Sequence, residues 1–261
     1  MPNRVDERGR IFMDARDGIL FFLKFQCREY LEDLQKGILY MKNFKYYKDL
    51  EKKDKQKGKG DITEASQFLK DVDFRLIDRD TNKTFIVGKA GSSLIENEDD
   101  KLKPVFCLSQ VDINSLTNIQ KDNDFITGDL IFSEKDKERI LKELGESVLI
   151  ISPYHFVNNL KSKFKEKDLE YADGKVEYDD FNINNYERLL DYINGKSERF
   201  FWKDTSYDYQ KEYRFVVLNR NVDDHLIINL DDMSDYSRIM DAEKLLNGKF
   251  QIKIKTKSIK I

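Results

Sequence analysis

The stretch Arg199 to Leu218, RFFWKDTSYDYQKEYRFVVL, constrains the fold more than any other, because an aromatic-rich segment holding the chain's single tryptophan runs directly into Val216-Val217-Leu218. A run of β-branched and aliphatic residues behind an alternating polar segment reads as a strand entering a core. With strand periodicity Gln210, Glu212 and Arg214 fall at every second position and share one face, while Lys211, Tyr213 and Phe215 share the other. An amide, a carboxylate and a guanidinium on the face of a buried strand form either a compensated charge cluster or the floor of a polar cleft, since uncompensated charge is costly to bury.

The rest of the chain supplies short apolar runs from which a mixed architecture follows. Ile19 to Phe25 reads as a buried strand interrupted by Lys24, Glu29 to Gln35 as a short helix ended by Gly37, and Ile38 to Met41 as a second strand. Lys52 to Gly60 reads as an exposed loop, with Asp61 and Glu64 behind it at N-cap and N3 spacing. Phe74 to Ile77 and Thr84 to Val87 suggest a hairpin, Gly91 to Lys103 a charged loop, and Pro104 to Ser109 a buried strand. Further strands are expected at Gly128 to Phe132, Val148 to Ile151, Gly174 to Tyr178, Leu226 to Leu230 and Phe250 to Ile261. Helices are expected at Glu134 to Leu144, Tyr154 to Phe164 and Tyr186 to Ile193. Many short strands and four helices without a regular βαβ rhythm predict an α+β fold, largely antiparallel with peripheral helices. The expected layout is an N-terminal arm over residues 1–18 and a single domain over 19–261.

Charge and motif content remove several function classes. The 261 residues carry 46 basic and 49 acidic side chains, interspersed, for a net charge of -3, so no global basic field attracts nucleic acid or a membrane. No phosphate-loop, dinucleotide-loop or zinc-protease motif occurs, and Cys27 and Cys107 offer neither a disulfide framework nor metal spacing. The expectation is a cytoplasmic protein without a membrane segment. The many Lys, Ile and Asn codons and the few prolines point to an AT-rich bacterial or phage source.

Lys24-Phe25, Gly37, Tyr46-Tyr47, Gly60-Asp61 with Glu64, Phe106-Cys107-Leu108-Ser109, Val176-Glu177-Tyr178, Lys203 and Tyr209-Gln210-Lys211-Glu212-Tyr213-Arg214 together resemble the bacterial and phage domain-of-unknown-function family numbered 2971, over roughly residues 19 to 220. That family brings no settled activity. A more distant resemblance is to ADP-ribosyltransferases, whose strand-borne Gln-x-Glu stabilises an oxocarbenium-like transition state on NAD. Gln210-x-Glu212 matches that element and Ser109 the serine-bearing middle strand, while the first strand carries Lys24 where those enzymes have Arg or His. The resemblance implies a split antiparallel sheet, NAD as cofactor, Glu212 and Gln210 as catalytic residues, and Lys24, Tyr46, Glu64, Ser109 and Arg214 lining the pocket. Apart from the resemblance, Trp202, Tyr207 and Tyr209 offer rings to stack on a nicotinamide or nucleobase. The implied partners are a nucleotide or dinucleotide and a macromolecular target, protein or nucleic acid, in bacterial or phage conflict. Two alternatives stand beside it. One is a non-catalytic nucleotide- or partner-binding inhibitor, and the other a metal-dependent nuclease using Asp61, Glu64 and Glu212.

Overall fold

The computed structural model describes residues 18–54, 58–122 and 124–255. In chain order the elements are β1 (Ile19–Gln26), α1 (Arg28–Gln35), β2 (Ile38–Asn43), α2 (Phe44–Asp54), β3 (Ser66–Ile77), β4 (Thr84–Glu96), α3 (Glu98–Lys101), β5 (Pro104–Asp112), β6 (Leu116–Lys121), β7 (Phe125–Leu130), α4 (Glu134–Glu143) and β8 (Ser147–Ile151). They continue with α5 (Pro153–Glu166), β9 (Tyr171–Lys175), β10 (Glu177–Asp179), α6 (Tyr186–Ile193), β11 (Trp202–Asp204), β12 (Glu212–Val217), β13 (His225–Asn229), β14 (Ser237–Asp241), α7 (Ala242–Asn247) and β15 (Phe250–Lys255). The fold is α+β with mostly antiparallel sheets. Among the described residues no helix is long and apolar enough to cross a membrane.

The central sheet has eight strands, in the order β13-β2-β5-β1-β8-β14 with β12 joined to β5 and β9 joined to β12. β5 organises it. Along one edge β5 pairs with β12 from Val105 to Ser109. Along the other it pairs with β1 from Ser109 to Asp112, and with β2 only at Pro104 and Val105. Phe106, Cys107 and Leu108 therefore face a gap where β1 and β2 have diverged. The divergence is set by β1, which leaves β5 after Leu23 and continues from Phe22 to Gln26 on β8.

Alternation sorts the side chains into cores on the two faces. Phe22, Leu39, Met41, Phe106, Leu108, Tyr213 and Phe215 pack with Phe156, Leu160 and Phe164 of α5 and Leu31 and Leu34 of α1. The adjacent β1 residues Leu23 and Phe25 turn to a second core with Ile140 of α4 and Leu245 and Leu246 of α7. Helix α1 stops because Gly37 takes φ +101° and returns its N–H to Leu34 O at 2.9 Å, a left-handed terminus that favours glycine.

Several boundaries differ from the sequence expectation for identifiable reasons. Lys52 and Lys53 belong to α2 rather than to a loop, with Lys53 paired to Asp49 one turn earlier. The hairpin is much longer than expected, running from Ser66 to Glu96, and the expected loop from Gly91 contains the end of β4 and the one-turn helix α3. Asp61 and Glu64 do not cap a helix; Asp61 Oδ1 instead accepts from the Thr63 N–H and hydroxyl. The expected strand at Gly174 to Tyr178 is two short strands, β9 and β10. The N-terminal arm lies outside the described residues except for Gly18, as do residues 55–57 of the lysine-rich segment and 256–261 of the last strand.

Candidate functional site

Glu212 and Arg214 stand on one face of β12, as strand spacing requires, but Gln210 does not belong to that strand. Residues Thr205–Gln210 form a 3-10 turn, Lys211 takes φ 42°, and the strand begins only at Glu212. The left-handed residue reverses the chain, so that Gln210 reaches the same place from the side.

Four charges meet there. Arg214 Nε donates to Glu212 Oε1 at 2.7 Å and its Nη2 to Glu64 Oε1 at 2.8 Å, while Nη1 donates to the Phe200 carbonyl at 2.7 Å. Lys203, on β11, donates to Glu212 Oε2 at 3.0 Å and to Gln210 Oε1 at 2.8 Å, and lies 3.3 Å from Glu64 Oε1. Gln210 passes its own Nε2 donors to Gly58 O at 2.7 Å and the Tyr209 hydroxyl at 3.0 Å. Two cations against two carboxylates balance, and all four side chains are buried, Arg214 with 1% of its surface exposed.

This pairing fixes the protonation states. Burial alone would push the Glu212 carboxyl up, but the Arg214 and Lys203 charges outweigh it and hold Glu212 well below the usual carboxylate range. Burial works against the charged forms of Lys203 and Arg214 too, and the carboxylates of Glu212 and Glu64 overcome it, raising both. Glu212 is thus a fixed anion, unsuited to proton transfer at neutral pH. Asp61, buried and next to the Glu64 charge, has its carboxyl raised to about 6. Burial, then the Glu212 charge, pushes the Cys107 thiol up, which keeps it protonated and unreactive.

The gap in the sheet opens into a cavity of about 690 Å³. Lys24, Tyr46, Glu64, Ser109, Gln210, Glu212 and Arg214 all line it, together with Lys203 and Cys107. Lys24 stands where β1 leaves β5, and its Nζ donates to the unpaired Cys107 carbonyl at 2.8 Å. That is its one hydrogen bond among the described residues. Burial lowers the Lys24 ammonium from its ordinary range, only partly offset by the neighbouring Cys107 and Glu212. Ser109 sits at the fork itself, opposite Leu23 on one side and Glu212 on the other.

The aromatic contribution comes from other residues than the sequence suggested. Trp202 donates to Asp191 Oδ2 at 3.1 Å, Tyr207 to Gly60 O at 3.3 Å, and Tyr209 packs in the second core and bonds Glu143; none of the three lines the cavity. Tyr30, Tyr40, Phe44, Tyr46 and Tyr47 do. Tyr46 and Tyr47 meet edge to face at 5.3 Å, and Lys42 lies over the rings of Tyr40 and Tyr46. Lys203 was absent from the sequence-derived site, although it is the hub of the charge network. Its only local sign is a lysine between tryptophan and aspartate ahead of a tyrosine-rich turn, and its role depends on the parallel pairing of β11 with β10.

Among the described residues no group of three His, Cys, Asp or Glu side chains is placed to hold a metal ion. Asp61 does not line the cavity, and Glu64 and Glu212 are each engaged by two cations that would repel a divalent ion. No protein-family model, curated protein or solved structure matches the chain, so the resemblances drawn from the sequence rest on its residue patterns alone.

Proposed function

We propose that the cleft at the sheet fork binds a nucleotide or dinucleotide, with NAD as a candidate, and that the protein acts through this binding. The observation that carries the reading is Lys24, a half-buried ammonium on the cavity wall with one of its three N–H groups committed to the protein. Around it the lining has five cations, Lys24, Lys42, Lys59, Lys203 and Arg214, against three carboxylates, Asp33, Glu64 and Glu212, and with Lys42 paired to Asp224 outside the lining one positive charge is left for an anionic ligand to neutralise. The tyrosines of β2, α1 and α2 offer faces for a planar ring. A volume of about 690 Å³ suits a molecule of that size.

A second reading is ADP-ribosyl transfer from NAD to a macromolecule. It is favoured by Glu212, Gln210 and Ser109 opening on the same cavity as Lys24. In that chemistry the Glu212 anion would face the positive charge developing on the ribose. Its field, however, is already answered by Arg214 and Lys203, which reduces what it adds to the transition state. Binding is therefore the primary reading. Calorimetric titration with ADP, ADP-ribose and NAD tests it, and nicotinamide release during incubation with NAD separates the two. Saturable binding without release supports a binding protein, binding with release supports the transferase, and no binding by any of the three refutes both.

A further inference from the structure

The charge network leaves one acceptor unused. Glu64 Oε1 takes both Arg214 and Lys203, whereas Glu64 Oε2 has no hydrogen-bond partner among the described residues. The side chain is 5% exposed, and of the buried side-chain atoms without a partner it is the one whose residue lines the cavity. An ion-paired carboxylate accepts hydrogen bonds and offers none. This oxygen is already shut off from solvent and unmatched, so a ligand that brings a donor to it from the cavity relieves that cost and gains affinity over a ligand that brings none.

We infer that the bound molecule is a hydroxyl-bearing anion, a ribonucleotide rather than a deoxygenated analogue or a bare phosphate, whose sugar hydroxyl donates to Glu64 Oε2 while its phosphate meets Lys24. The inference rests on the nucleotide reading and adds to it a group that distinguishes among nucleotides. Three observations support it. Glu64 is held rigidly, with Arg214 and Lys203 fixing one oxygen and therefore orienting the other. Lys24 and Glu64 reach the same cavity from different elements, so an anionic end and a donor end are recognised separately. Phosphate alone would satisfy Lys24 and be repelled by the carboxylate.

The test compares ADP with 2′,3′-dideoxy-ADP, which share base and phosphates and differ only in the two ribose hydroxyls, by calorimetry on the wild-type chain. ADP is expected to bind roughly 10- to 100-fold more tightly, the value of one hydrogen bond to a charged acceptor. In Glu64→Gln, checked for folding by circular dichroism, that ratio should fall toward one. Equal affinity of the wild type for the two ligands overturns the role of Glu64 while leaving the nucleotide reading intact. Failure of both to bind overturns the reading and the inference together.

Discussion

Replacing Glu212 by Gln keeps the volume of the side chain and removes its charge, which leaves Arg214 and Lys203 sharing Glu64 alone. The four partners are between 1% and 6% exposed, so the unmatched cation is screened poorly by solvent. Breaking a buried pair by neutralising one member costs about 3–5 kcal/mol, most of it the burden of the stranded charge. For a chain of this size each kcal/mol lowers the melting temperature by about 2–4 °C, so Glu212→Gln should fall by roughly 6–20 °C. The second arm uses Lys203→Met. In the double variant Arg214 and Glu64 remain as a neutral pair, and the double variant should be more stable than the sum of the single effects by about 1–3 kcal/mol. Thermal unfolding followed by circular dichroism at neutral pH reads both quantities. A loss below about 1 kcal/mol for Glu212→Gln, or strict additivity, would show that the four charges do not form a closed network. The same reasoning makes loss of function in a Glu212 variant uninformative by itself, because the fold changes with it.

Other outcomes follow from single positions. Asp61 holds its proton more tightly in the folded chain, at about 6 against an ordinary 3.8, so its contribution to stability is lost as pH rises from about 4 to 6. That loss amounts to about 3 kcal/mol, and Asp61→Asn, which keeps the acceptor for Thr63, should gain on wild type by that order between pH 4 and pH 7. A melting-temperature difference that does not change with pH contradicts this. Glu212 works in the opposite sense, since its depressed carboxyl contributes stability that is lost as pH falls below the ordinary carboxylate range. Gly37→Ala would force a left-handed φ of +101° on alanine and drive its Cβ into the Leu230 carbonyl oxygen, so it should cost about 2 kcal/mol or more; unchanged unfolding in urea would refute the role given to that turn.

What could be read from the sequence was what local periodicity encodes. Helix α6 coincides with the expected span because Asn185 accepts from the N–H groups of Glu187 and Arg188 and marks its start, and Glu212 and Arg214 share a face because a strand allows nothing else. The length of the β3–β4 hairpin was not legible. Its tip leaves Phe74, Leu76, Phe85 and Val87 exposed, so hydrophobic alternation does not report burial there. Gln210 was placed on the wrong element because nothing in Gln-Lys-Glu announces that Lys211 turns left-handed. Trp202, Tyr207 and Tyr209 go to packing and to hydrogen bonds with Asp191, Gly60 and Glu143, the last two remote in sequence from their tyrosines. The seven residues assigned to a site nevertheless line one cavity, since they sit on β1, β5 and β12 or the segments folded against them.

The central claim is that the fork between β1 and β5 is a binding site whose anion-binding cation is Lys24, and titration of ADP into the wild-type chain and Lys24→Met tests it most directly. The account predicts saturable binding by the wild type and an affinity at least about tenfold weaker in the variant, the scale of one charge-assisted hydrogen bond. Equal affinity in the two proteins, or no binding by the wild type, would contradict it.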